Sequence, residues 1–157
     1  MVEVTLTWEE LHQSAIVGCN RKIRALRKDF DHRYGYDPSS AAEDWGTNIL
    51  GAIAEMAVAK HLNIFWADRP ELDYKGDVGR YQVRTTWRPN GSLLLHDDDK
   101  DGQVFILACG CPPTWRLAGW LLAVDGKQPR YWQTRTGRPC YMVPQTDLHD
   151  MFVLPPA

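Results

Sequence analysis

Cysteine is scarce in this 157-residue chain, with four in all: Cys19, Cys109, Cys111 and Cys140. They are too few and too irregularly spaced for a disulfide framework, and Cys109-Gly110-Cys111 is not a CxxC pair. Buried reduced thiols are the expectation. Together with His96 and His149 these cysteines fit no zinc ribbon or finger spacing. No apolar run reaches the ~20 residues that a helical membrane span requires. The opening Met1-Val2-Glu3-Val4 lacks the basic and apolar regions of a signal peptide, so a cytoplasmic setting is expected. Repeats, low-complexity stretches and linkers are also missing. The length suits one domain, residues 1–157, with a single sizeable core. There is no Gly-rich phosphate loop and no Gly-x-Ser-x-Gly elbow. Nor does either sign of charge dominate: Lys and Arg number 18 against 20 Asp and Glu, a net charge of −2. That sum does not mark a nucleic-acid binder, so the distribution of charge matters more.

Basic residues gather at Arg21, Lys22, Arg24, Arg27, Lys28 and Arg33, opposed there only by Asp29 and Asp31. Such a stretch suits either a solvated helix face or a surface lying along a phosphate backbone. Val2 to Leu6 alternates like a short strand. Thr7 with Glu10 then forms a capping box for a helix from Trp8 to about Asp29, whose core face is expected at Leu11, Ala15, Ile16, Cys19, Ile23 and Leu26. A loop at Tyr34–Ser40 precedes a second helix, from about Ala42 to Leu62, expected to bury Trp45, Ile49, Ala52, Ile53 and Met56. Strands follow at Tyr81–Trp87, Ser92–Leu95, Val104–Ala108, Leu117–Val124 and Tyr141–Val143. Pro144–Leu148 reads as a short helical entry capped by Thr146. Helices first and strands after describe an α+β (mixed α/β) domain, one sheet packed by two N-terminal helices. Seven tryptophans are many for this length, and Trp120 and Trp87 are expected in the core. Asp97-Asp98-Asp99-Lys100-Asp101-Gly102 opens like a calcium-binding EF-hand loop, but Ala108 stands where the bidentate Glu belongs, so an acidic turn between strands is expected.

Two features carry chemistry. Glu55 lies off the apolar stripe of the second helix, and its helical neighbours Gly51, Ala52, Val58 and Ala59 offer no partner. A carboxylate so placed either reaches solvent at the edge of the face or is met from outside the helix by a metal ion or an Arg from the sheet. The second feature is Gly76-Asp77-Val78-Gly79-Arg80-Tyr81-Gln82-Val83-Arg84. The glycines permit a tight hairpin that returns Asp77 beside the following strand. On that strand Gln82 and Arg84 share one face while Tyr81 and Val83 share the other. The arrangement fits a solvent-facing hairpin, or oxygen ligands for a hard cation beside a fixed positive group, as phosphodiester hydrolysis requires.

The stretch from Gly51-Ala-Ile-Ala-Glu55 through Asp77-Val-Gly79 to Gln82-Val-Arg84-Thr-Thr86 resembles the PD-(D/E)XK nuclease superfamily, which includes restriction endonucleases, phage exonucleases and Holliday-junction resolvases. The resemblance covers roughly residues 45–110 and is similar to small phage-encoded members. It implies a restriction endonuclease-like core with a mixed central sheet, and a phage-encoded protein acting on DNA in the host cytoplasm. It further implies Asp77 as the central Mg²⁺ ligand (Mn²⁺ as substitute), Glu55 holding the same ion, Gln82 at the usual acidic position and Arg84 at the usual lysine position. An amide oxygen still coordinates a hard cation but adds no charge, and Arg cannot lose a proton to act as a base. The basic helix face of Arg21, Arg24 and Lys28 offers the phosphate contacts if it flanks that site, and a homodimer is a common state among proteins of the family the chain resembles. Two expectations follow: a Mg²⁺-dependent endonuclease or structure-selective resolvase, or a degenerate relative that binds DNA or a protein partner without cutting.

Overall fold

The computed structural model describes residues 2–27, 41–68, 76–134 and 138–156. The chain begins with strand β1 (Val2–Thr5) and helices α1 (Trp8–Arg27) and α2 (Ala41–Leu62). Strands β2 (Tyr81–Thr86), β3 (Leu93–Leu95), β4 (Val104–Cys111) and β5 (Thr114–Leu122) follow, then a helical turn α3 (Ala123–Gly126), β6 (Trp132–Gln133) and β7 (Cys140–Val143). The capping box forms as the sequence implies: the Thr7 N–H donates to Glu10 Oε2 at 2.7 Å and the Glu10 N–H to Thr7 Oγ1 at 3.3 Å. Among the described residues no helix is long and apolar enough to cross a membrane.

The strands form two sheets rather than the one expected. Four strands make a mixed sheet in the order β1-β5-β4-β2, antiparallel except for the parallel pair β2 and β4. A parallel neighbour requires a crossover, and here the crossover carries β3 away into the second sheet, ordered β3-β7-β6. The two-residue strand β6 was not legible in advance. β5 stops at Leu122, where the chain turns into α3 instead of running to Val124.

The larger sheet separates two apolar layers. Tyr81, Val83, Val104, Ile106, Ala108, Trp115 and Leu117 pack with the helices, whereas Phe105, Leu107 and Cys109 pack with β3, β7 and Tyr131. Helix α2 buries Ala52, Ile53, Ala54, Ala57, Val58 and Ala59 on several sides, because it lies between α1 and the sheet. Trp45, Ile49 and Met56 are only half-buried. The face of α1 is rotated from the expectation. It buries Ser14, Val17, Gly18 and Lys22, while Ile16, Ile23 and Leu26 are exposed and Leu11, Ala15 and Cys19 half-buried. Close approach decides this: a methyl on Gly18 would lie 2.5 Å from Ile49 Cα of α2. The Lys22 ammonium inserts between the helices and pairs with the buried Asp44 carboxylate.

Three smaller expectations are corrected. Trp87 is 71% exposed, lying past the end of β2 with the Arg88 guanidinium over its ring, while Trp120 is buried as expected. Cys109 and Cys140 are buried free thiols, but Cys111 is exposed because it sits at the β4–β5 turn. Gln145–Asp147 forms a single 3-10 turn that contains Thr146, whose hydroxyl binds Asp147 Oδ1 instead of capping it.

Candidate functional site

Strand β2 is an edge of the mixed sheet, and charged side chains converge there from three elements. The expected hairpin forms just before it. Val78 bridges Tyr81, the Asp77 N–H donates to the Tyr81 carbonyl at 2.8 Å, and Gly79 turns the chain with φ +59°. That φ suits glycine, because a Cβ would crowd the backbone. The turn returns Asp77 along the open side of β2, where its Oδ2 accepts the Val83 N–H at 2.8 Å. An edge strand leaves such N–H groups without a ladder partner, and Asp77 satisfies one of them.

Glu55 comes from α2 and is 6% exposed. Its carboxylate is met by Arg21 of α1, not by an arginine of the sheet. Arg21 Nη1 donates to Oε1 at 2.6 Å and Nη2 to Oε2 at 2.8 Å, while Trp66 Nε1 donates to Oε2 at 3.1 Å. The Arg21 guanidinium also sits over the Trp66 ring, 5.7 Å from its centroid. Three residues further along α1, Arg24 forms a second two-pronged pair with Asp68, at 2.7 and 2.8 Å. Both arginines therefore face the site and are not spread along an outer surface. Lys28 lies outside the described residues.

Arg84 approaches from the opposite side of the sheet. Its guanidinium stacks over Phe105 at 4.7 Å and donates to Asp99 Oδ1 at 2.9 Å. Asp99 is itself fixed by the His96 N–H on Oδ2 at 2.8 Å. Strand alternation puts Gln82 with Arg84 on this face, away from α2. Thus Asp77 lies near enough to Glu55 for its charge to act on that carboxyl, while Gln82 and Arg84 share the opposite face of β2.

The charge of Asp77 is felt at the Glu55 carboxyl. Burial pushes Glu55 above the ordinary carboxylate range; Arg21 opposes the rise, and the charge of Asp77 adds to it. Burial likewise pushes Asp77 up, against the Val83 N–H and the charges of Arg84 and Arg21, with Asp99 adding to the rise. Two desolvated, mutually repelling carboxyls are the chemistry that a hard divalent cation would satisfy. Among the described residues no three His, Cys, Asp or Glu side chains gather as a metal-holding group. An ion held by Glu55 and Asp77 would complete its shell with amide, water or phosphate oxygens, a pattern that suits Mg²⁺. The donor set fits on one condition, that Arg21 leaves the Glu55 oxygens.

Trp66, Asp68 and Asp99 are the site residues that sequence reasoning missed. Trp66 and Asp68 lie in an irregular segment with no periodicity, so nothing local signals their partners. Asp99 belongs to the acidic turn that resembles a calcium loop. There the Lys127 ammonium stands where a cation would. It donates to the Asp97 carbonyl at 3.0 Å, to Asp101 Oδ1 at 2.9 Å and to the Asp99 carbonyl. Arg138 pairs with Asp98 at 2.8 Å. The turn thus carries its own counter-ions, and Asp99 is left to hold Arg84.

Compared with models of protein families, with curated proteins and with solved structures, the chain matches none of them.

Proposed function

We propose that the protein is a nuclease-type domain that hydrolyses DNA phosphodiester bonds with Mg²⁺ or Mn²⁺ held by Asp77 and Glu55. The reading is supported by two desolvated carboxyls beside an open sheet edge, the charge of Asp77 acting on Glu55, with the Arg21 and Arg84 guanidiniums on either side. Bound there, the ion would polarise a phosphate oxygen and acidify a water. Asp77 is oriented for this work by the Val83 N–H, which leaves its other oxygen uncommitted to that bond. Arg84, tethered by Asp99 and resting on Phe105, clamps the scissile phosphate and offsets charge developing on it. It cannot serve as a base, since a guanidinium keeps its proton. Gln82, on the same face, adds a neutral oxygen or amide contact. An endonuclease or structure-selective resolvase in phage DNA metabolism is the corresponding role.

A second reading is supported by one specific feature: Arg21 already neutralises both Glu55 oxygens. A domain in that state binds DNA, or a protein partner, without cutting. One assay separates the two. Duplex, single-stranded and branched DNA are incubated with Mg²⁺ or Mn²⁺ and then with EDTA, using the wild type and Asp77→Ala. Metal-dependent cleavage lost in Asp77→Ala establishes the nuclease. Cleavage that survives Asp77→Ala removes the site from consideration, and EDTA-insensitive binding without cleavage favours the second reading.

A further inference from the structure

Arg21 stands where a cation would approach Glu55. Its two-pronged pair with Glu55, at 2.6 and 2.8 Å, uses both carboxylate oxygens. A cation approaching Glu55 must displace that guanidinium. Yet the Arg21 side chain remains 33% exposed beside a nearly buried Glu55, so its outer side is open to a solvent-borne anion. A phosphodiester presents two oxygens to the same fork that a carboxylate does.

We infer that Arg21 exchanges partners, leaving Glu55 for a DNA phosphate and thereby freeing the carboxylate for the divalent ion. The inference rests on the nuclease-type reading of the Glu55–Asp77 pair. It makes Arg21 a positioning residue through which substrate and metal bind cooperatively, and each must strengthen the other by the same factor. Trp66 supports the exchange. It keeps its own hydrogen bond on Glu55 Oε2, so the carboxylate stays oriented when Arg21 departs, while its ring lies beneath the guanidinium. Asp77 contributes on the same side: its charge also acts on Arg21, so a cation entering between the two carboxyls would repel the guanidinium outward.

The test is a calorimetric titration of Mn²⁺ into the full chain, with and without a short DNA duplex whose integrity is checked on a gel. In the wild type, duplex should tighten Mn²⁺ binding about tenfold, a typical coupling between linked sites. Arg21→Gln should bind Mn²⁺ about tenfold more tightly than wild type in the absence of DNA, and the gain from duplex should fall to about twofold or less. Arg21→Lys keeps the charge but loses the fork, so it should lie between the two; it gives the same comparison if Arg21→Gln fails to fold by circular dichroism. Equal Mn²⁺ affinities in wild type and variant, or an unchanged gain from duplex, would overturn the exchange and leave the two-carboxylate site standing. No Mn²⁺ binding in any of the proteins would overturn the nuclease reading and the exchange together.

Discussion

Asp77 is held by one backbone N–H and two guanidinium charges, and still has its pKa raised by burial and by Asp99. A carboxyl whose folded-state pKa exceeds its unfolded value binds more protons folded than unfolded through that interval. Stability therefore falls as pH rises from the ordinary carboxylate range toward the raised value, and stays diminished above it. Asp77→Asn keeps an oxygen for the Val83 N–H and removes the charge. Its melting temperature should exceed that of the wild type by a few degrees at pH 8, and the gap should close as pH falls to about 4. Thermal denaturation across pH checks this, and a gap independent of pH would contradict it. Mg²⁺ should stabilise the wild type and leave Asp77→Asn unchanged, because an ion that binds only the folded state stabilises it by mass action. At this scale Glu55 was legible, since a carboxylate among alanines, valine and glycine demands an external partner. The identity of that partner was not legible, because Arg21 is remote in sequence and sits in a basic cluster that reads equally well as a solvated face.

Helix α1 shows why residue types mislead about which face is buried. Ile16, Ile23 and Leu26 offer more apolar area than Ser14, Gly18 and Lys22, yet the second set packs. Helices that cross closely need small side chains at the crossing, and Gly18 lets α1 reach the backbone at Ile49. The Ser14 hydroxyl donates back to the Glu10 carbonyl at 2.7 Å, so its burial leaves no orphaned group. Hydrophobic counting cannot detect an interface built this way, whereas the capping box and the Gly79 hairpin are short-range patterns and were read correctly. Gly18→Ala should destabilise the protein by about 2 kcal/mol, as overpacking outweighs a helix-propensity gain of about 1 kcal/mol. Lys22→Ala, which removes the ammonium paired with the buried Asp44 carboxylate, should cost about 3 kcal/mol. Urea unfolding measures both, and a Gly18→Ala protein as stable as wild type would place the helices further apart. The same crossing sets the depth of Arg21, three residues beyond Gly18, so any shift of α1 alters the Glu55 pair as well.

For the molecule as a whole, the net charge of −2 gives no general attraction to a polyanion. The acidic turn is compensated internally by Lys127, Arg138 and Arg84, and among the described residues Arg21, Arg24 and Arg84 stand toward the edge of β2. If the domain binds DNA at that edge as proposed, Arg21, Arg24 and Arg84 are the contacts there, so few phosphates would be neutralised. Each contact contributes about −0.9 to the slope of log affinity against log salt, so the total should be about −3 or shallower. Arg24 makes the prediction specific. Its pair with Asp68 is two-pronged, but its side chain is 33% exposed, so it can turn outward to phosphate. Arg24→Ala should then flatten the slope by about one and weaken binding to different sequences alike, since a phosphate contact carries no base information. Fluorescence anisotropy over a range of salt concentrations measures this. An unchanged slope in Arg24→Ala would mean that Arg24 serves only to anchor Asp68, and a slope much steeper than −3 would place the DNA against basic residues away from this edge.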